Sequence, residues 1–171
     1  MADAIIAAMP STPRPLRRVA VAAYPVIDTS MQLAESVSAF LRQRGLDASP
    51  AAIADDNLRR AVQACEVDLL IALGGDGTML RAGHLCAPCA IPILGINLGR
   101  IGFLTEIEPA GWQEAMDRLL RGDYWLEHRM MLHASLLRGR REIGAWEALN
   151  ECVISRGAMV RLIRLRTEVD G

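Results

Sequence analysis

The chain has 171 residues, enough for one domain with a sizeable core or for one small domain and part of another. Its 51% hydrophobic residues and formal net charge of −1 are typical of a globular protein and argue against binding to nucleic acid. No apolar run approaches the ~20 residues of a membrane span, and no basic segment precedes the short apolar run near Met1, so we expect a cytoplasmic protein without membrane contact. Residues 1–16 are expected to form a disordered tail.

Strands and helices alternate through residues 17–124. Residues 18–23 predict a first strand, and Thr29 with Gln32 has the form of a capping box that opens a helix closed by Gly45. Residues 46–49 are compatible with a short strand. This alternation predicts an α/β fold, with a parallel sheet, helices on both of its faces, and ligands at the carboxyl ends of its strands.

A second helix is predicted next, from apolar residues at helical spacing, and it leads directly into the next strand. Leu58, Ala61 and Val62 recur at helical spacing, and Cys65 continues the stripe. Asp55, Asp56 and Asn57 are all residue types that cap helices, so the sequence leaves the first residue of this helix open.

The apolar run at 67–73 predicts a strand buried on both faces, and it is followed at once by GGDGT at 74–78. The three glycines allow positive φ and let a ligand approach the backbone without meeting a Cβ, and Thr78 can cap the next helix. Free amides at the start of a helix attract phosphate. Asp76 adds a carboxylate that could take a proton from a hydroxyl group.

A glycine-rich turn between a strand and a helix can also be only a tight connection. GGDGT matches neither the dinucleotide fingerprint GxGxxG nor the P-loop GxxxxGKS/T. The chain contains no lysine, which excludes a catalytic or phosphate-binding lysine within it.

A second glycine-rich loop, at 97–105, follows a predicted strand at 91–97. Because parallel strands end at the same edge of a sheet, both loops should lie within reach of one ligand. Arg100 could meet phosphate, and Phe103 could stack on a base or pack into the core. An amphipathic stripe then predicts a helix over 112–120, ended by Gly122.

Cys86 and Cys89 have CxxC spacing, but they fall at the end of a predicted helix, where a redox pair would need a helix start. Cys65 and Cys152 are isolated, so a zinc site lacks its second pair. We therefore expect all four cysteines to be reduced residues, buried or half-buried, without a metal.

From residue 125 onward the pattern favours strands. Extended runs at 129–138 and 145–155 flank a polar turn, and alternation from 160 onward predicts a third strand. The sequence therefore predicts the start of an antiparallel, β-rich second domain that looks incomplete, because one face of its sheet has nothing to pack against. Asn150 and Glu151 suit recognition of a ribose diol or an adenine edge, although such a dipeptide is often only a solvated turn.

Three motifs together resemble those of the NAD kinase family: GGDGT at 74–78, GINLGRIGFLTE at 95–106, and ALNECVI around Asn150 and Glu151. The resemblance covers roughly residues 17–171. It implies transfer of the ATP γ-phosphoryl group to the 2′-hydroxyl of the adenosine ribose of NAD, with a divalent cation such as Mg²⁺ and a homodimer or homotetramer. A full member would continue with a segment resembling DGLIxSTPTGSTAY, so this chain resembles the N-terminal part of the enzyme.

The resemblance also implies roles for individual residues. Asp76 would be the general base, and the residues implied in binding NAD or phosphates are Gly75, Gly77, Thr78, Arg81, Phe103, Asn150, Glu151 and Arg161. Arg81 could instead lie on an exposed helix face, and Arg161 at an exposed strand position. No metal ligand is assigned.

Two other functions remain open from the sequence. GGDGT occurs in lipid kinases of the diacylglycerol type, and a close variant occurs in sugar kinases; lipid kinases would be expected to carry a GTxN-like segment that is missing here. The second alternative is a nucleotide-binding or assembly module without catalysis.

Overall fold

The computed structural model describes residues 15–27, 29–99, 104–105, 107–155 and 164–169. The chain divides into two compact units, Met1–His128 and Arg129–Gly171. Each unit is described by itself. The predicted tail at 1–16 lies outside the described residues except for its last two positions.

The first unit is built on a four-stranded parallel sheet with the order β2-β1-β3-β4. Its strands are β1 (Arg18–Ala23), β2 (Asp47–Ala52), β3 (Leu69–Gly74) and β4 (Ile93–Asn97). The predicted α/β fold is therefore confirmed. The segment expected at 46–49 is a longer strand, and its Pro50 is tolerated because β2 lies at the sheet edge.

Four helices cover both faces of this sheet, as predicted. They are α1 (Ser30–Arg42), α2 (Asp56–Gln63), α3 (Asp76–Cys86) and α4 (Trp112–Leu120). One core cluster joins α1 and α4 to Val19, Val21 and Leu73 on the first face. A second cluster joins α2 and α3 to the intervening strand residues Ala20, Ala22 and Leu70. All six residues of β3 are buried, which explains its continuous apolar sequence.

The helix caps differ in part from the expectation. Thr29 precedes α1, but its backbone is already helical and its side chain makes no capping hydrogen bond, so the predicted capping box is wrong. The α1 helix ends at Arg42, and Gly45 lies beyond its cap with φ of +86°. Asp55 is the N-cap of α2, because its side chain accepts hydrogen bonds from the amides of Asn57 and Leu58.

The cysteines are not all reduced, which corrects the sequence prediction. Cys65 and Cys89 form a disulfide, with their Cα atoms 5.5 Å apart, although they are 24 residues apart in sequence. The bond joins the segment after α2 to the short 3-10 turn after α3. Cys86 remains a free, buried thiol, and Cys152 is free and exposed. Cys86 and Cys89, which have CxxC spacing, therefore do not form a disulfide with each other.

The second unit contains an antiparallel hairpin, β5 (Leu132–Arg138) and β6 (Arg141–Ala148), around a turn at Gly139. The predicted third strand is not found at 164–169, which are exposed and without regular structure, while 156–163 lie outside the described residues. Large apolar side chains such as Leu137 and Trp146 are exposed on the hairpin. In the described part of the chain, no helix has the length and apolar character needed to cross a bilayer.

The two caps allow a matched test of helix stability. Replacement of Asp55 by Ala removes two hydrogen bonds to the first amides of α2, so the free energy of unfolding should fall by about 1 kcal/mol. Thr29→Ala removes no such bond and should change it by less than about 0.5 kcal/mol. Urea denaturation followed by circular dichroism measures both values. Equal losses would contradict these cap assignments.

The cysteine assignment predicts a graded reactivity toward alkylating reagents. In the oxidised chain only Cys152 should react quickly at mildly alkaline pH, because burial raises the pKa of the Cys86 thiol to about 12 and leaves almost no thiolate. Reduction should then expose Cys65 and Cys89 to the reagent. Peptide mass mapping gives the sites; modification of Cys65 before reduction would refute the disulfide.

Candidate functional site

The strand order places a crevice at the carboxyl ends of β1 and β3. The chain leaves β1 toward β2 on one side and later reaches β3 and β4 on the other, so the connections diverge between β1 and β3. Ligands of open α/β sheets bind at such a point. Tyr24 follows β1 there, and its amide donates a hydrogen bond of 3.2 Å to the carbonyl of Leu73. GGDGT begins at the next residue of β3.

The first glycine of GGDGT is required by packing. A Cβ at Gly74 would lie 2.1 Å from Oγ1 and 2.8 Å from Cβ of Thr78, closer than real Cβ atoms approach such neighbours. Gly74, Gly75 and Gly77 do not adopt the positive φ that glycine allows. Thr78 is not a cap either. It is the third residue of α3, and its buried side chain fills the space beside Gly74.

The next glycines leave the start of α3 open to a ligand. Gly75 is the N-cap, with an extended backbone, and Gly77 lies in the first turn. A Cβ at either glycine would have no atom within 4 Å. The first amides of a helix lack acceptors inside the helix and carry its positive dipole end, so this open surface is suited to phosphate.

Asp76 is the first residue of α3 and is half-buried. Its Oδ1 accepts a hydrogen bond of 3.1 Å from the amide of Leu104, which lies 28 residues further along the chain. This bond fixes the orientation of the carboxylate from outside its own loop. A carboxylate held in this way can accept a proton from a hydroxyl group brought within hydrogen-bond distance.

The loop after β4 is anchored beside GGDGT, which confirms that both loops share one edge of the sheet. Asn97 pairs with Gly74, and the Leu98 amide donates to the Gly74 carbonyl. The Asn97 side-chain oxygen accepts from the Gly99 amide at 3.0 Å. The chain then returns to β4, where the Asn97 amide donates to the carbonyl of Ile107.

Arg81 is exposed one turn along α3, and its guanidinium lies 4.9 Å from the centre of the Tyr24 ring. The structure thus brings Arg81 and GGDGT together on one unit. Asn150 and Glu151 are exposed residues that follow β6 in the second unit. Phe103 and Arg161 lie outside the described residues, as does Arg100.

Sequence reasoning missed two contributors to this edge of the sheet. Tyr24 could have been found, because β1 and β3 are neighbouring parallel strands and the residue after β1 must lie beside the end of β3, where GGDGT begins. The contact between Leu104 and Asp76 is made by a backbone amide, which carries no sequence signal.

The family model for the ATP-NAD kinase N-terminal domain matches residues 16–124, more than half of the chain. The chain belongs to this family. The match contains β1 to β4, the GGDGT loop and α4, so the suspected NAD kinase resemblance is confirmed for the first unit.

Individual relatives agree with the family match. A NAD kinase from Geotalea daltonii is 49% identical over 106 residues, which cover 62% of this chain and 37% of the relative. A NAD kinase from Nitratidesulfovibrio vulgaris is 37% identical over 157 residues, which cover 92% of this chain and 52% of the relative. The chain therefore spans about half or less of the length of these relatives.

The fold is also similar to a solved structure. A crystal structure of yeast NADH kinase complexed with NADH superimposes with a TM-score of 0.64 at 19% identity, over 80% of this chain and 48% of that one. At this identity the likeness supports the fold alone.

Single Ala substitutions at Gly74 and Gly75 should affect stability unequally. Gly74→Ala should lower the free energy of unfolding by about 1–3 kcal/mol, because its Cβ would overlap the Thr78 side chain. Gly75→Ala meets no atom and should change stability by less than about 1 kcal/mol. Urea denaturation separates the two.

The Gly74→Ala, Thr78→Ala double variant should recover part of the loss, since Oγ1 of Thr78 is the nearest overlapping atom. Full stability in the Gly74→Ala variant would show that this packing does not constrain the loop.

Proposed function

We propose that the full-length gene product containing this chain is a NAD kinase, which transfers the γ-phosphoryl group of ATP to the 2′-hydroxyl of the adenosine ribose of NAD and yields NADP. The observation that carries the proposal is the carboxylate of Asp76, held by the Leu104 amide at the open start of α3. Membership of the ATP-NAD kinase family supports this choice of substrates.

In the proposed reaction Asp76 accepts the proton of the ribose 2′-hydroxyl as its oxygen attacks the γ-phosphorus. A new P–O bond forms, the bond between the γ-phosphorus and the β–γ bridging oxygen breaks, and ADP leaves with that electron pair. Proton transfer to a positioned base contributes about 10²–10⁴-fold to such rates. The amides at the start of α3 stabilise the charge on the transferred group.

The remaining site residues bind and orient the substrates in this proposal. Gly75 and Gly77 give NAD access to the backbone, because no atom occupies the space beside them. Thr78 supports Gly74 from inside the fold, and Arg81 faces phosphate from the exposed side of α3.

Other proposed contacts rest on the resemblance of the motifs. Asn150 and Glu151 bind NAD through its hydroxyls and base edges, from the start of a β-rich NAD-binding domain at 125–171. Phe103 stacks on the base, and Arg161 meets a phosphate.

A divalent cation such as Mg²⁺ is proposed to bind together with ATP. Within the described residues, no three His, Cys, Asp or Glu side chains lie together as a metal site. Mg²⁺ commonly binds through one or two carboxylates and the substrate phosphates, with water completing its shell. The phosphate oxygens of ATP and water would hold the cation, which would neutralise charge on the phosphates.

We further propose that the full-length protein acts in the cytoplasm as a homo-oligomer. Exposed apolar side chains on the second unit, among them Leu137 and Trp146, support an assembly surface there. Disulfides are rare in the cytoplasm, so Cys65 and Cys89 are expected as thiols in that compartment and as a disulfide after oxidation.

The role of Asp76 predicts a specific kinetic loss. In the full-length gene product, Asp76→Asn should lower NADP formation from ATP and NAD by about 10²-fold or more, because the amide cannot accept the proton. The amide oxygen can still accept from the Leu104 amide, so NAD affinity by calorimetry should change little. Asp47→Asn, at the exposed start of β2, is the matched control.

Transfer to diacylglycerol and to fructose 6-phosphate is measured alongside. Phosphorylation of either in place of NAD would refute the proposed acceptor. Near-normal turnover in Asp76→Asn would refute the assignment of the base.

A further inference from the structure

The disulfide lies at the edge of the sheet opposite GGDGT. Cys65 stands between α2 and β3, and Cys89 ends the 3-10 turn Ala87–Cys89 between α3 and β4. Both cysteines therefore precede strands, whereas GGDGT follows one. The bond joins the two ends of the segment 65–89, which contains β3, GGDGT and α3. It closes this strand and helix into one covalent loop.

The backbone around Cys65 is fixed without the help of its sulfur atom. The α2 helix ends in a Schellman motif, in which the Cys65 amide donates a hydrogen bond to the carbonyl of Val62 and the Glu66 amide donates one to that of Ala61. Cys65 occupies the left-handed position of this motif, with φ of +55°, where glycine is the usual residue. The direction of its Cβ is thus set by the end of α2.

The same hydrogen-bond pattern fixes the turn that carries Cys89. The Ala90 amide donates to the carbonyl of Ala87, and the Ile91 amide donates to that of Cys86. This turn and the end of α2 pack into one apolar cluster on the second face of the sheet. Because neither the hydrogen bonds nor this packing depends on the disulfide, the two thiols of the reduced chain stay close together. Their Cα atoms, 5.5 Å apart, are at the separation that a disulfide requires.

The two cysteines differ in their access to solvent. Cys65 is exposed, and Cys89 is half-buried. An exposed thiolate can attack a disulfide from solution, and exposed protein disulfides are those most readily reduced. Cys86 does not compete for this chemistry, because burial raises the pKa of its thiol to about 12. The pair therefore has one accessible sulfur and a second sulfur placed to resolve a mixed disulfide.

We propose that Cys65 and Cys89 form a reversible oxidation site for low-molecular-weight disulfides, and that oxidation locks the segment 65–89 closed. The Cys65 thiolate attacks one sulfur of a disulfide RSSR, a mixed disulfide forms, and RS⁻ leaves. The Cys89 thiolate then attacks Sγ of Cys65, the bond to the RS group breaks, and a second RS⁻ leaves. The two RS⁻ take up the protons that the two cysteines lost, and two electrons pass from the cysteines to RSSR. A dithiol reverses both steps.

Oxidation changes how often this segment opens rather than how it is folded. In the oxidised chain Thr78 packs beside Gly74, and Asp76 accepts its hydrogen bond from the Leu104 amide. The disulfide restricts the conformations that the segment can reach when it unfolds locally, so the opened state becomes rarer. For cysteines 24 residues apart, the opened population falls by roughly 10²-fold.

The first test treats the reduced full-length gene product with glutathione disulfide and maps the products by mass spectrometry of its peptides. Cys65 and Cys89 should end as an intramolecular disulfide, whereas Cys152, a free and exposed thiol, should stop at a mixed disulfide with glutathione. In concentrated urea the intramolecular bond should form about tenfold more slowly or less, because the packing that holds the two thiols together is lost. Dithiothreitol should restore both thiols in the native protein.

Hydrogen exchange measures the effect on the segment. The amides of α3 should exchange about tenfold or more slowly in the oxidised protein than in the reduced one, and this difference should vanish in Cys65→Gly. Glycine suits the left-handed position, so this variant removes the sulfur without straining the end of α2. Cys152→Ser is the matched control, since it removes an exposed thiol and leaves the pair intact; it should retain the difference. These measurements use neither NAD nor ATP, so they do not depend on the proposed kinase function.

Glutathione adducts on Cys65 and Cys89 without a bond between them would overturn the oxidation site, as would equal rates of bond formation in the native and the urea-unfolded chain. A bond that resists dithiothreitol in the native protein would overturn its reversibility. Equal exchange of the α3 amides in the oxidised and reduced proteins would overturn the lock on the segment 65–89.

Discussion

The contact between Thr78 and Gly74 is the constraint on which the site depends. The threonine side chain occupies the space that a Cβ at position 74 would need, so the last residue of β3 and the first turn of α3 pack directly together. As a result α3 begins two residues after β3 ends. Asp76 is therefore placed at a helix start, where its carboxylate accepts a hydrogen bond from the Leu104 amide.

Much of the fold could be predicted from sequence because hydrophobic periodicity reports burial directly. The continuous apolar run before GGDGT predicts a strand buried on both faces, and β3 is such a strand. The rule that parallel strands end at one edge then places both glycine-rich loops together, as the pairing of Gly74 with Asn97 shows.

The sequence predictions fail where packing between residues far apart in the sequence determines the structure. Glycine at position 74 is consistent with positive φ or with close approach, and only the position of the Thr78 side chain selects the second. The disulfide depends on how the end of α2 meets the turn after α3, which the spacing of Cys86 and Cys89 does not report.

Asp76 is proposed to act on the 2′-hydroxyl of the adenosine ribose of NAD. The most direct measurement compares phosphoryl transfer from ATP to NAD and to its analogue lacking that hydroxyl, in the full-length gene product. The proposed role of Asp76 predicts that NAD is converted to NADP, whereas the analogue binds but gives no phosphorylated product. Phosphorylation of the analogue, or no transfer to NAD, would contradict it.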